Sequence, residues 1–162
     1  MLEISNLTTV RVGEGFIKKI GEVVFKQEKV KEGADVSLAF IGPGRMRKLN
    51  STYRKKNRVT DVLSFPENKV AFENFKIGPL KKTRGLGEIV ICLREVKKNA
   101  RRLKVSFQEE LARVFVHGLL HLLGYDHKAV DKAGGIMQKK EEEYLKVLKK
   151  QGLLLTEDHL KK

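Results

Sequence analysis

The sequence has 162 residues, of which 41% are apolar and 7% aromatic, so it predicts one globular domain with a mainly aliphatic core. The formal net charge of +14 favours a polyanionic partner, although a lysine-rich surface without such a partner is the alternative. The single cysteine excludes an internal disulfide, and we find neither a signal peptide nor a membrane span, so we expect a cytoplasmic protein.

The first part of the chain alternates between strand and helix patterns. Leu2 and Ile4 indicate a first strand. Apolar residues within 16–24 recur at helical spacing and predict an amphipathic helix of roughly 14 residues. Residues 36–41 predict a second strand, which Gly42-Pro43-Gly44 should end.

A short helix should follow, through Met46, Leu49 and Tyr53. From Arg45 to Thr60 the chain has basic residues and no acidic one. The basic residues are Arg45, Arg47, Lys48, Arg54, Lys55, Lys56 and Arg58. Most charge runs are solvated helix faces, but counter-charges that would pair within a helix are missing here. We therefore predict a phosphate-contacting surface.

Two strands are predicted next, at residues 60–66 and 87–93. The second is β-branched and nearly continuously apolar, so it should lie in the centre of the sheet. Cys92 lies within it and is expected to be a core residue and not a nucleophile. The connection from Glu67 to Gly85 is long for a compact domain and is expected to be functional or mobile.

The remaining chain predicts helices only. Val96, Ala100 and Leu103 mark one helix, and a capping box at Ser106 and Glu109 begins the next. That helix should be buried and end before Gly124, and a last helix should end at Lys150. The order predicts an α+β fold: a small mixed sheet of about four strands packed by helices. We assign residues 1–152 to one domain and 153–162 to a C-terminal tail.

Three of the four histidines are close in sequence: His117, His121 and His127. Residues four apart lie on one helical face, and the chain can return His127 to the same point after Gly124. Three imidazoles suit zinc, copper, iron or nickel, zinc most often, and they leave one coordination position open for catalysis. Ordinary core histidines are the alternative, but three of them would leave several polar nitrogens to satisfy. We predict one Zn²⁺ ion held by these three residues.

The histidine spacing also matches the metzincin motif H-E-x-x-H-x-x-G-x-x-H. Gly118 stands where that motif has its general-base glutamate. Without the carboxylate, no group in the motif activates water and carries a proton to the leaving amine, so peptide hydrolysis is disfavoured. Glu110 and Asp126 are nearby carboxylates, and Asp126 could orient a ligating imidazole.

Four blocks of the chain form a specific combination: LNSTYR at 49–54, TDVLSFP at 60–66, GEI at 87–89 and HGLLHLLGYDH at 117–127. In this order, they together resemble the YbeY family of endoribonucleases. The resemblance implies a single-strand-specific, zinc-dependent endoribonuclease that matures the 3′ end of 16S ribosomal RNA in the small subunit and acts in ribosome quality control. It also implies that the three histidines hold the zinc and that Arg54 is functional.

The chemistry of the residues agrees with this resemblance. An arginine can bind a phosphate bidentately and stabilise transition-state charge, so we predict catalytic roles for Arg54 and His117. The attacking group is either a zinc-activated water or the 2′-hydroxyl group of the RNA. Two alternatives stay open: a zinc metallopeptidase of metzincin type, and a non-catalytic RNA-binding factor in ribosome assembly.

Overall fold

The computed structural model describes residues 1–67, 85–125 and 133–154, and these form a four-stranded sheet and five helices. The strands are β1 (Leu2–Asn6), β2 (Asp35–Ile41), β3 (Val62–Pro66) and β4 (Gly85–Cys92). The helices are α1 (Glu14–Gln27), α2 (Pro43–Arg54), α3 (Leu93–Leu103), α4 (Phe107–Leu122) and α5 (Ala133–Lys150). The predicted α+β class is confirmed, and so is the predicted order of elements.

The sheet is mixed, with the strand order β1-β2-β4-β3. Strands β1, β2 and β4 are parallel to one another, whereas β3 lies at the edge and is antiparallel to β4. The prediction that β4 is central is therefore confirmed. Residues Ile89 to Cys92 alternate between two buried faces, which is why this half of the strand is apolar.

Each face of the sheet supports a separate hydrophobic core. The larger core packs α1, α3, α4 and α5 against one face, and Ile89 and Ile91 of β4 belong to it. The smaller core packs α2 against the opposite face through Met46 and Leu49. Cys92 is fully buried in this smaller core, and burial raises the pKa of its thiol. This confirms the interpretation of Cys92 as a core residue.

Helix α4 begins as predicted at Ser106, whose side chain accepts a hydrogen bond of 3.0 Å from the backbone amide of Glu109. The second half of the predicted capping box is wrong. The Glu109 carboxylate instead pairs with Lys149 of α5 at 3.0 Å, because α5 packs alongside α4. The contact joins two helices and does not close one helix end.

Two predictions concern the connection between β3 and β4 and the C-terminal end of the domain. Most of the connection predicted between residues 67 and 85 lies outside the described residues. After α5, Leu154 is 3% exposed and belongs to the larger core, so the packed chain extends to at least this residue. The proposed domain boundary stays a prediction. In the part of the chain that is described, no helix is long and apolar enough to cross a membrane.

Candidate metal centre

Two of the three predicted ligands lie side by side on α4. His117 and His121 are four residues apart, and their rings meet edge to face with centroids 4.6 Å apart. The two Nε2 atoms are 3.1 Å apart. Both imidazoles therefore direct the same nitrogen at one point.

The donor atoms fit a metal ion. Two nitrogens that each bind zinc at about 2.0–2.1 Å in a tetrahedral arrangement would be about 3.3 Å apart, close to the separation found here. Within residues 1–67, 85–125 and 133–154, no group of three histidine, cysteine or acidic side chains forms a metal site. The predicted third ligand, His127, lies outside the described residues, as does Asp126.

A carboxylate from α5 orients the first histidine. Nδ1 of His117 is hydrogen-bonded to Oε1 of Glu141, whose side chain is 13% exposed. When Nδ1–H donates to this carboxylate, Nε2 keeps its lone pair for a metal ion. Sequence reasoning missed Glu141. A signal existed, because Glu141 occupies the apolar stripe of α5, four residues after Met137 and four before Leu145.

We expect that Glu141→Gln weakens metal binding about 10- to 100-fold, as loss of a partner that orients a ligand commonly does. A competition titration with a chromophoric chelator measures this affinity. Glu142→Gln is the matched control, because Glu142 is exposed and belongs to the same acidic run. Equal affinities of the two variants would show that the Glu141 carboxylate does not orient His117 toward a metal.

Gly118 is required by the packing of α4 on the sheet. A Cβ atom at this position would lie 3.0 Å from Cγ2 and 3.2 Å from Cδ1 of Ile89, and 3.3 Å from Oγ of Ser64. The Ser64 hydroxyl also donates a hydrogen bond of 3.4 Å to the Gly118 carbonyl oxygen. At the position that carries the general base in metzincins, a glutamate side chain would therefore be crowded by Ile89 and Ser64, which argues further against a peptidase.

Gly124 ends α4 in the way the sequence predicted. Its φ of +100° is left-handed, its amide donates to the His121 carbonyl at 3.1 Å, and the Tyr125 amide donates to the Leu120 carbonyl at 3.0 Å. These two bonds form a Schellman motif. The motif fixes the direction in which the chain leaves α4 toward His127.

Glu28, at the end of α1, holds Tyr125 in place. Its carboxylate accepts hydrogen bonds from Tyr125 at 2.9 Å, from Lys140 at 2.8 Å and from Tyr144 at 2.6 Å. Burial alone would raise the pKa of Glu28, but these three hydrogen bonds lower it below its ordinary value. Glu28 therefore stays ionised and ties α1 and α5 to the residue that leads into the last histidine.

Asp61, next to strand β3, connects that strand with α3. Its backbone oxygen accepts from the amide of Cys92 at 2.8 Å, and its carboxylate accepts from Nδ2 of Asn99 at 3.4 Å. The hydrogen bonds of Asp61 and Ser64 are thus contacts at the edge of the core.

Arg54 is not in contact with the histidines among the described residues. It is exposed at the end of α2, on the face of the sheet opposite to α4. Its neighbour Tyr53 packs edge to face on Phe65 with ring centroids 5.1 Å apart, whereas Gly118 contacts Ser64. Helices α2 and α4 thus pack on adjacent residues of edge strand β3 from opposite sides, α2 through Tyr53 and α4 through Gly118.

The predicted phosphate-contacting surface is exposed. All seven basic residues of the segment 45–58 are solvent-accessible, and Arg47 donates a hydrogen bond of 2.9 Å to Asn57. The α2–β3 connection returns along the helix, since Nδ2 of Asn50 donates to the Arg58 carbonyl at 2.9 Å. The positive charges of α2 and of this connection therefore form one surface beside β3.

Comparison with known proteins identifies the family. The family model described as endoribonuclease YbeY matches residues 5–149. A relative from Thermodesulfovibrio yellowstonii with that name is 44% identical and covers 70% of this chain and 67% of its own. A second relative with that name, from Leptospira interrogans, is 37% identical, and the match covers 82% of this chain and 98% of the relative. A Thermotoga maritima protein with a solution structure is 27% identical, with a TM-score of 0.61 over 93% of this chain and 91% of its own.

The class of protein defined by the fold and by these matches is that of the α+β endoribonucleases, hydrolases that act on RNA. The chain belongs to the YbeY endoribonuclease family. The family predicted from the sequence is thereby confirmed. Members of this family are generally metal-dependent.

Proposed function

We propose that this chain is a zinc-dependent endoribonuclease that cleaves single-stranded regions of ribosomal RNA. The observation that carries this proposal is the convergence of the two Nε2 atoms, 3.1 Å apart, with His117 fixed by Glu141. Membership of an endoribonuclease family gives the reaction class, and the net charge of +14 fits a polyanionic substrate.

The proposed ligands are His117, His121 and His127, with zinc as the ion. Imidazole donors without nearby cysteine favour zinc among the transition metals, and three protein ligands leave one position open. When bound, the ion supplies positive charge that polarises a phosphoryl oxygen and acidifies water. Glu141 keeps Nε2 of His117 directed at the ion, and Glu28 holds the chain that leads to His127.

Arg54 is the proposed phosphate-binding residue. Its helix, α2, packs on β3 from the side opposite to α4, so a single strand of RNA laid over this edge would meet both helices. A guanidinium binds two phosphate oxygens at once and opposes the charge that develops during cleavage. The other basic side chains of the segment 45–58 hold the neighbouring phosphates. Either water or the 2′-hydroxyl group of the RNA attacks the phosphorus atom of the bond that is cleaved.

The substrate that we propose is the 3′ end of 16S ribosomal RNA in the small ribosomal subunit, with a further role in ribosome quality control. Such a role places the protein in the cytoplasm, where ribosomes assemble. The buried, single Cys92 is compatible with a reducing compartment.

Incubation of the zinc-loaded protein with single-stranded and fully double-stranded RNA of one sequence tests the proposal. We expect cleavage of the single strand only, loss of cleavage after chelation, and recovery with zinc. A 2′,3′-cyclic phosphate at the product ends would identify the 2′-hydroxyl group as the nucleophile. Binding without any cleavage would favour the assembly factor, and cleavage of casein that requires His121 and not Arg54 would favour the peptidase.

Arg54→Ala should lower the rate of RNA cleavage about 100-fold or more, since removal of one group that stabilises transition-state charge commonly costs this much. Arg45→Ala is the matched control, because Arg45 is also exposed on α2 but lies in its first turn. Single-turnover cleavage measures the rate, and thermal melting checks that both variants fold. Equal rates for the two variants would show that Arg54 contributes only to the positive charge of the surface and not to catalysis.

A further inference from the structure

Helix α3 carries a second concentration of positive charge that the proposed active site does not use. Its basic side chains are exposed, and Glu95 is its one acidic residue. The basic residues of the helix and its C-cap are Arg94, Lys97, Lys98, Arg101, Arg102 and Lys104. The opposite side of α3 is buried: Leu93 and Val96 belong to the larger core, and Ala100 is 3% exposed. The helix is therefore fixed in place with its basic face in solvent.

The other helices of this face have counter-charges. Lys18 of α1 pairs with Glu14, Lys149 of α5 with Glu109, and Arg113 of α4 with Glu110. Among the residues that the structure describes, no ion pair is formed by the basic side chains of α3. Like charges one helical turn apart, such as Lys97 and Arg101, destabilise a helix slightly. Helix α3 thus retains a repulsion that the neighbouring helices reduce by pairing.

The basic face of α3 is connected to the candidate metal centre along α4. Glu110 is 3% exposed, and its carboxylate lies 3.5 Å from Nε of Arg113. Burial raises the pKa of Glu110, and both Arg113 and Arg102 lie close enough to oppose that rise. Arg113 is one turn before His117 on α4, and Arg102 belongs to α3, so Glu110 has one basic neighbour near the histidines and another on the basic face of α3.

The phosphate-contacting surface beside β3 reaches the same helix. Asn99 of α3 contacts Asp61, which directly follows the basic α2–β3 connection. Glu110 and His117 are seven positions apart on α4, a distance of roughly 10 Å along the helix axis. A strand of RNA that reaches the histidines can therefore extend to α3 within a few nucleotides.

We propose that the exposed basic face of α3 is a second RNA-binding surface, which holds phosphates of the substrate strand a few nucleotides away from the cleaved bond. This inference rests on the proposed function. Closely spaced arginine and lysine side chains bind a sugar-phosphate backbone of any sequence, because each neutralised phosphate releases counterions. The surface would increase affinity for long RNA without taking part in the reaction.

The test is a triple variant, Lys98→Gln, Arg101→Gln and Arg102→Gln, compared with Lys18→Gln, Lys19→Gln and Lys26→Gln on α1. Both variants lose the same charge from exposed helical positions, and glutamine keeps a similar helix propensity. Binding of a long 2′-O-methyl RNA to the zinc-loaded proteins is measured over a salt series. Values of kcat and KM are measured for cleavable RNAs, one long and one only a few nucleotides in length.

For the α3 variant we expect the slope of log affinity against log salt to fall by about 2, at ~0.7 for each of three lost contacts with a single strand. The KM for long RNA should rise about tenfold or more at low salt, with kcat unchanged and with normal cleavage of the short RNA. The α1 variant should resemble wild type. Equal salt slopes and KM values for the two variants would overturn the α3 surface alone, whereas failure of wild type to cleave any RNA would overturn the proposed function.

Discussion

Replacement of His121 by alanine is expected to abolish RNA cleavage and leave the protein folded. His121 is only partly buried, and its Nε2 atom faces His117 and not the hydrophobic core. Removal of a ligand should lower the rate about 10³-fold, because a bound metal stabilises the transition state by several kcal/mol and each 1.4 kcal/mol corresponds to a factor of ten. Single-turnover cleavage of single-stranded RNA measures this loss, and elemental analysis measures the metal that remains.

The same variant distinguishes catalysis from a structural role for the metal. In a non-catalytic assembly factor the ion would stabilise the fold, so His121→Ala would lower the melting temperature strongly. We instead expect a melting temperature close to that of wild type. His159→Ala is the control, since it removes the one histidine outside the motif. Unfolding of His121→Ala at the temperature of the assay would support the structural role.

The pairing of His117 and His121 could be predicted because it depends on helix geometry alone. Residues four apart share a face, and the apolar pattern around them identifies the helix. The same local rules located Gly124 at the helix end and the strand pattern of β4. Each of these predictions concerns residues that are near one another in sequence, where the backbone fixes the geometry.

Glu141 could not be predicted in the same way, because its role depends on how α5 packs against α4. The apolar stripe of α5 shows which face is buried, but not which residue of α4 lies opposite each position. Glu141 interrupts that stripe, and a buried acidic residue needs a partner. The sequence could thus indicate that Glu141 has a partner, whereas only the tertiary structure identifies His117.

The spatial arrangement of Arg54 and the histidines could not be predicted from local sequence patterns either. The strand order β1-β2-β4-β3 places β3 at the edge, although β3 precedes β4 in the chain. Consecutive residues of a strand face opposite sides, so Ser64 meets α4 and Phe65 meets α2. The two helices that carry the predicted residues thus lie on two sides of one edge strand, an arrangement that the block motifs do not reveal.

Gly118→Glu, which would complete the metzincin motif, is expected to destabilise the protein and to create no peptidase. Its Cβ would lie 3.0 Å from Ile89, which is fully buried in the larger core. Overpacking costs about 1–3 kcal/mol, and a carboxylate buried without a partner adds several more. We therefore expect the free energy of unfolding to fall by at least about 4 kcal/mol. Chemical denaturation measures the free energy of unfolding.

Alanine variants separate the packing effect from the buried charge. Gly15→Ala in α1 introduces a Cβ that meets no atom within 4 Å, so it should stabilise the protein by up to about 1 kcal/mol through helix propensity. Gly118→Ala gains the same propensity but contacts Ile89 and Ser64, so we expect a net loss of about 1 kcal/mol. If Gly118→Ala were as stable as Gly15→Ala, close packing would not be the reason for a glycine at position 118. The lack of a glutamate there would then be explained only by a reaction that needs no general base at this position.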